Sequence, residues 1–141
     1  MNSATNTLAL IERYYAAFNA GDAEGMLACV SEDVAHDINQ GCRETGKAAF
    51  RAFLARMDRA YRERLTNIVI MVSPDGHRAA AEFVVHGQYL AGEPGLPEAR
   101  GQTYELPAGA FFSIDNGLIT RVTVYYNLAE WIAQVAPEGE S

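Results

Sequence analysis

Apolar residues recur at helical spacing in the first third of the chain. Leu8, Ile11, Tyr15 and Phe18 share one face, so residues 5–19 are expected to form an amphipathic helix. Asn19-Ala20-Gly21 is a stop signal with Gly21 just past the helix end. Asp22 then reads as the N-cap of a short second helix carrying Met26, Leu27 and Val30. Residues 33–38 read as a short strand, and Asn39-Gln40-Gly41 as a turn. Phe50, Phe53, Leu54, Met57 and Tyr61 predict a third helix over about residues 46–62, with Thr45 as its candidate cap.

The periodicity then changes from helix to strand. Ile68–Val72 is a strand, Ser73-Pro74-Asp75-Gly76 a β-turn, and a strand from about His77 to Leu90 pairs back across it. Residues 91–97 form a loop rich in glycine and proline. Residues 102–114 and 118–127 form a second hairpin around Asp115-Asn116-Gly117. Leu128, Trp131, Ile132 and Val135 predict a closing helical turn or two. Helices followed by long antiparallel strands define an α+β fold. Strands longer than the usual five or six residues twist and coil. A coiled sheet wrapped around helices makes a cone with a pocket inside.

Composition narrows the function classes. With 141 residues and no internal repeat or dividing linker, the chain is expected to be one domain over residues 1–141. The net charge of −7 argues against a nucleic-acid partner, which would need Lys and Arg against phosphates. Basic residues nonetheless gather between Arg43 and Arg64, as a solvated helix face or an anion-binding patch. No apolar run reaches the roughly 18 residues of a membrane span. Met1–Thr5 carry no basic or apolar leader pattern, so a cytoplasmic location is expected. Cys29 and Cys42 are expected to be reduced thiols. The spacing of His36, Asp37, Glu82 and His86 matches no zinc motif, so no metal is expected, and no nucleotide fingerprint or other cofactor signature is present.

Several segments together carry a resemblance: Ala16-Ala17-Phe18-Asn19-Ala20-Gly21-Asp22, Ser31-Glu32-Asp33-Val34, His36-Asp37, Gly46-Lys47-Ala48-Ala49-Phe50, and Phe112-Ser113-Ile114-Asp115-Asn116-Gly117-Leu118-Ile119. Over about residues 5–135 the chain resembles the SnoaL-like, ketosteroid-isomerase-like branch of the nuclear transport factor 2-like superfamily. The resemblance implies the cone-shaped α+β barrel. It also implies acid–base chemistry on a small hydrophobic carbonyl compound, of the isomerase or polyketide-cyclase type. Such chemistry needs a base beside the acidic carbon and donors aimed at the developing enolate oxygen; ketosteroid isomerase is itself a worked example of this pattern, with a Tyr and a protonated Asp as donors.

Carried over residue by residue, the family's donor falls on Tyr14, which follows Arg13. The base falls on Asp37 or, with strand parity reversed, on His36; neighbouring strand residues face opposite ways, so one of the two is expected inside. The family's second acid falls on Ala110, where no carboxylate is near. Glu82 and His86, which share a strand face with Val84 and Gln88, are further candidates if that face points inward. They would lie about 13–14 Å apart along it. Val122, Val124 and Tyr126 are placed inside by the resemblance; Phe18, Phe53, Tyr104, Phe112 and Trp131 are expected as further pocket lining. The same fold also serves noncatalytic ligand-binding or dimerisation modules, and the missing acid at Ala110 favours that alternative. In either case a homodimer through the outer sheet face is expected, since long strands with exposed Val, Tyr and Phe leave an apolar patch.

Overall fold

The computed structural model describes residues 3–137; the first two positions of the leader reading, Met1 and Asn2, lie outside the described residues. Among them four helices and six strands alternate in the order α1 (Ser3–Asn19), α2 (Ala23–Leu27), β1 (Val30–Asp37), β2 (Arg43–Thr45), α3 (Lys47–Ala60), β3 (Tyr61–Val72), β4 (Arg78–Tyr89), β5 (Thr103–Asp115), β6 (Leu118–Tyr126) and α4 (Leu128–Val135). The strands form one curved, unclosed sheet in the order β2-β1-β6-β5-β4-β3. All neighbours pair antiparallel except β1 with β6, which run parallel.

Local chemistry explains the boundaries. Gly21 takes φ 70° beyond α1, where a side chain would be strained. The Asp22 side chain accepts from the Gly25 amide at 2.9 Å and starts α2. That helix ends at Leu27, so Val30 opens β1 rather than closing the helix. Thr45 lies in the short strand β2, which the sequence pattern did not reveal. Gly46 caps α3 without a side-chain bond. The Ser73–Gly76 turn closes with Gly76 N–H donating to Ser73 O at 2.9 Å. Asn116 and Gly117 both take positive φ in the β5–β6 turn, as an Asn-Gly hairpin requires.

The helices plug one end of the cone. Leu10, Ile11, Tyr14 and Tyr15 of α1 are buried against the concave face of the sheet. Tyr14 and Tyr15 meet Phe112 edge-on with ring centroids 5.7 and 6.0 Å apart. Phe112 is fully buried. At the other end Trp131 of α4 packs edge-on against Tyr61, Tyr89 and Tyr104, at 6.0, 5.0 and 5.8 Å. Asn127 anchors α4 by accepting from the Glu130 amide.

One irregularity sets which residues of β3 face inward. Tyr61, Glu63 and Leu65 point to the concave side. Asn67 then adopts φ 54° and the β3–β4 register shifts between Thr66 and Val69. The Asn19 side chain clamps the strand beside this bulge, accepting from the Leu65 amide at 2.9 Å and donating to the Leu65 carbonyl at 3.0 Å. Beyond it Ile68, Ile70 and Val72 pack against the core, while Val69 and Met71 are each 49% exposed.

Candidate functional site: a polar-edged cavity in the cone

Between the helices and the concave sheet lies a cavity of about 1120 Å³. It is walled by Phe18, Phe53, Leu54, Leu106, Val122 and Val124, with Tyr14, His36, Glu63, Tyr104, Tyr126 and Trp131 supplying polar or amphipathic groups. Phe112 lies behind Tyr14 and Tyr15 in the core, so it supports the wall instead of forming it.

The parity question at His36 and Asp37 has a definite answer. His36 is 3% exposed and faces the cavity, with its ring held between Phe50 and Phe53 at 4.9 and 4.5 Å. Burial lowers its proton affinity and Arg56 lowers it further, against the opposing charges of Glu44 and Asp37; the ring is therefore held neutral at neutral pH. Asp37 points to the outer face, correcting its expected place as a pocket base. It takes two bonds from Arg43, at 2.7 and 3.1 Å, and one from the Thr123 hydroxyl at 2.7 Å. The Arg43 and Thr123 hydrogen bonds hold its carboxyl down at about 2. A carboxylate so stabilised is a poor proton acceptor.

The face of β4 carrying Glu82 and His86 also points outward, contrary to its candidate role. Ala79, Ala81, Phe83, Val85 and Tyr89 are the buried residues of this strand, and Glu82 is exposed. His86 is half-buried, with Nε2 2.8 Å from the Thr66 hydroxyl and Nδ1 3.0 Å from Glu105. The physical reason is the small and apolar set at 81, 83 and 85, which the helices cover more favourably than a row containing Glu and His.

Sequence periodicity did not single out Glu63, an acid of the cavity wall. Glu63, Gly87 and Tyr104 occupy one cross-strand row of β3, β4 and β5. Adjacent strands lie about 4.8 Å apart, so the outer members of the row are out of direct reach unless the middle position is empty. Gly87 leaves it empty. The Tyr104 ring lies across Gly87 and its hydroxyl donates to Glu63. Glu63 is accessible to solvent, but through the cavity, and protein encloses it closely enough to raise its proton affinity; the Tyr104 hydroxyl pulls the other way. Tyr104 is itself raised by burial and by the Glu63 charge. Burial likewise raises Tyr14 and Tyr126. The cavity therefore holds hydroxyls that stay protonated, a carboxyl biased toward its neutral form and a neutral imidazole.

At the mouth, Arg56 stands over the Phe53 ring at 5.3 Å and lies 3.7 Å from Glu93, which also accepts from Tyr61 at 3.4 Å. The basic cluster is largely neutralised: Arg43 pairs with Asp37, Lys47 with Glu32, Arg51 with Glu24 and Arg56 with Glu93. This matches a solvated helix face better than an anion patch. Among the described residues no three His, Cys, Asp or Glu gather closely enough to hold a metal ion, and no helix is long and apolar enough to cross a membrane.

A curved six-stranded sheet closed by helices around a ligand-sized cavity is the nuclear transport factor 2-like architecture. The SnoaL-like domain family matches residues 11–122, and the chain belongs to that family. A candidate polyketide cyclase of Pseudomonas putida KT2440 is 62% identical, with 96% of this chain and 99% of that one covered and a TM-score of 0.91. A second candidate polyketide cyclase, from Xanthomonas campestris pv. campestris, is 56% identical over 95% of this chain and 99% of that one, with a TM-score of 0.92. An NTF2-like protein of unknown function from Burkholderia pseudomallei K96243 shares the fold at 18% identity, with 94% and 98% covered and a TM-score of 0.78. No curated protein matches the sequence.

Proposed function

We propose that the chain is an acid–base enzyme acting on a small hydrophobic carbonyl compound inside the cone, by isomerisation or cyclisation. The observation that carries this reading is a buried, neutral His36 sharing an apolar cavity with the hydrogen-bonded Tyr104–Glu63 pair. The naming of two relatives more than 50% identical as candidate polyketide cyclases agrees with it. His36 takes a proton from the carbon next to the carbonyl, leaving an enolate. Protonated Glu63, itself held by the Tyr104 hydroxyl, and the hydroxyls of Tyr126 or Tyr14 donate to the enolate oxygen. The proton on His36 then returns to a different carbon of the substrate, or the enolate carbon attacks a second carbonyl whose oxygen takes that proton. Phe18, Phe53, Val124 and Trp131 supply apolar surface for the substrate.

The test is a turnover screen with enones and with linear and cyclised polyketide-like ketones, repeated with His36→Asn and Glu63→Gln. Each variant is expected to lose at least about 100-fold in kcat on any compound the wild type converts. Full activity in both variants would remove these roles. Tight ligand binding by the wild type with no turnover would support the second reading, a noncatalytic binding module. That reading draws on Ala110, a buried core residue at the position of the family's second acid.

A homodimer belongs to the same proposal. Phe111 and Tyr125 are 47% and 58% exposed on the outer sheet face and stack edge-on at 5.9 Å; Met71 is exposed on the same face two strands away, across Ala80. Two copies pairing there would cover this patch.

A further inference from the structure

We propose that Glu44 is the positioning residue of His36, accepting a hydrogen bond from the imidazole Nδ1–H so that bare Nε2 is turned to the cavity. The inference deepens the acid–base reading and rests on it for its catalytic meaning, though not for its test.

The placement follows from the strand register. β1 and β2 pair antiparallel, and His36 stands directly across from Glu44. Directly opposite residues share a face, with Cβ atoms about 4.5–5.5 Å apart, a span that an imidazole and a carboxylate can close. Both side chains present a buried polar atom without a partner among the described residues: Nδ1 of His36 and Oε1 of Glu44. An orphaned buried donor and an orphaned buried acceptor on neighbouring cross-strand positions each cost free energy, and one bond between them relieves both. Asn39, which lines the same cavity, also carries a buried unpartnered atom, but its Nδ2 is a donor and cannot receive the Nδ1–H, while its Oδ1 already accepts from the Tyr126 amide. Phe50 and Phe53 of α3 offer only ring edges and faces. Asp37 of β1 is committed to Arg43 and Thr123 on the opposite face. Arg56 of α3 is a cation and repels a protonated ring. Val122 of β6, across from His36 on the other side, is apolar.

The consequence is a choice of tautomer. An imidazole in an apolar slot can carry its proton on either nitrogen. With the proton fixed on Nδ1 by a carboxylate, the Nε2 lone pair is available as a base, and the imidazolium formed after proton capture is stabilised. This is the logic by which an acid orients a catalytic histidine elsewhere. β2 is only three residues long and sits at the sheet edge; holding Glu44 beside His36 gives this short strand a role in the site.

The test uses the full chain with ¹⁵N-labelled histidine. His36, His77 and His86 are the histidines present, and His77→Gln and His86→Gln assign the signals. In the wild type His36 is expected to show a protonated Nδ1 and a bare Nε2 over neutral pH. Glu44→Leu is expected to lose that preference, and Glu44→Asp to restore it at least in part. Glu44→Gln, which keeps shape and removes charge, is expected to lower the His36 titration midpoint by about one pH unit. Identical tautomer signals and midpoint in wild type, Glu44→Leu and Glu44→Gln would overturn the assignment. Should Glu44→Leu fail to fold, the Glu44→Gln midpoint decides alone. Because these readouts need no substrate, a tautomer that moves while no variant or wild type turns over any ketone sinks the enzyme reading and leaves the Glu44–His36 pair standing.

Discussion

Replacing Gly87 by Ala tests the cross-strand row most directly. A Cβ at position 87 would fall about an ångström too close to the Cζ, Cε2 and hydroxyl oxygen of Tyr104. These are the far atoms of the ring, so the ring swings aside while the backbone holds. Overpacking of this kind costs about 1 kcal/mol, the low end of its range, because one side chain can yield. The displaced hydroxyl no longer reaches Glu63, and that bond contributes about 1 kcal/mol. The sum of about 2 kcal/mol lowers Tm by about 6 °C in a domain of this size. Tyr104→Phe should lose only the hydrogen-bond share, and adding Gly87→Ala to it should cost less than in the wild-type background. The assay is thermal unfolding of the four members of this cycle, with ¹³C carboxyl titration of Glu63 alongside. Since the Tyr104 hydroxyl lowers the proton affinity of Glu63, its midpoint should rise in both single variants. A Gly87→Ala protein that melts with the wild type and keeps the Glu63 midpoint would show that the ring does not depend on the empty position.

Other outcomes follow from the same geometry. Asp37 is held at about 2, below its ordinary value of 3.8, so its pairing stabilises the fold above pH 4 and is lost as pH falls toward 2; Asp37→Asn should melt earlier than wild type at pH 7 and alike near pH 2. The same variant should leave turnover within about twofold of wild type, because the side chain lies on the outer face. Glu63 has the opposite sign: its raised proton affinity costs stability once pH rises past its ordinary value. Glu63→Gln should therefore be more stable than wild type at pH 8, with the difference vanishing at pH 4, as read by urea unfolding. Tyr125→Glu with Phe111→Ser should yield monomers by light scattering at micromolar concentration; a wild type that is already monomeric would remove the dimer.

The helices and hairpins were legible because their signals are local. Asp22, Gly21 and the Asn116-Gly117 turn act on backbone groups within a few residues. The cavity was legible only in part. The choice between His36 and Asp37 needs strand parity, which depends on how β1 meets β6 and α3, and no local pattern carries that. Glu63 escaped notice for a different reason. α3 ends at Ala60 and β3 begins at Tyr61 without a loop, so the helical stripe through Met57 and Tyr61 runs over the boundary. The alternation Tyr61, Glu63, Leu65 against Arg62, Arg64 is present, but an acid at an inward position makes both faces read as polar. Glu82 and His86 misled in the converse way, since functional residue types on a strand face say nothing about which side the helices cover.

The bulge at Asn67 has a consequence for how this chain can diverge. Upstream of it β3 lends Tyr61 and Glu63 to the cavity, and downstream it lends Val69 and Met71 to the outer face. The extra residue disengages the two halves, so one strand answers to two independent selective demands. Ligand preference can drift through the first half and surface recognition through the second, with neither change transmitted along the backbone to the other. Deleting Asn67 would restore plain alternation along β3, with Ile68 and Ile70 still on the core side, and leave one uninterrupted ladder with β4 that joins the two halves.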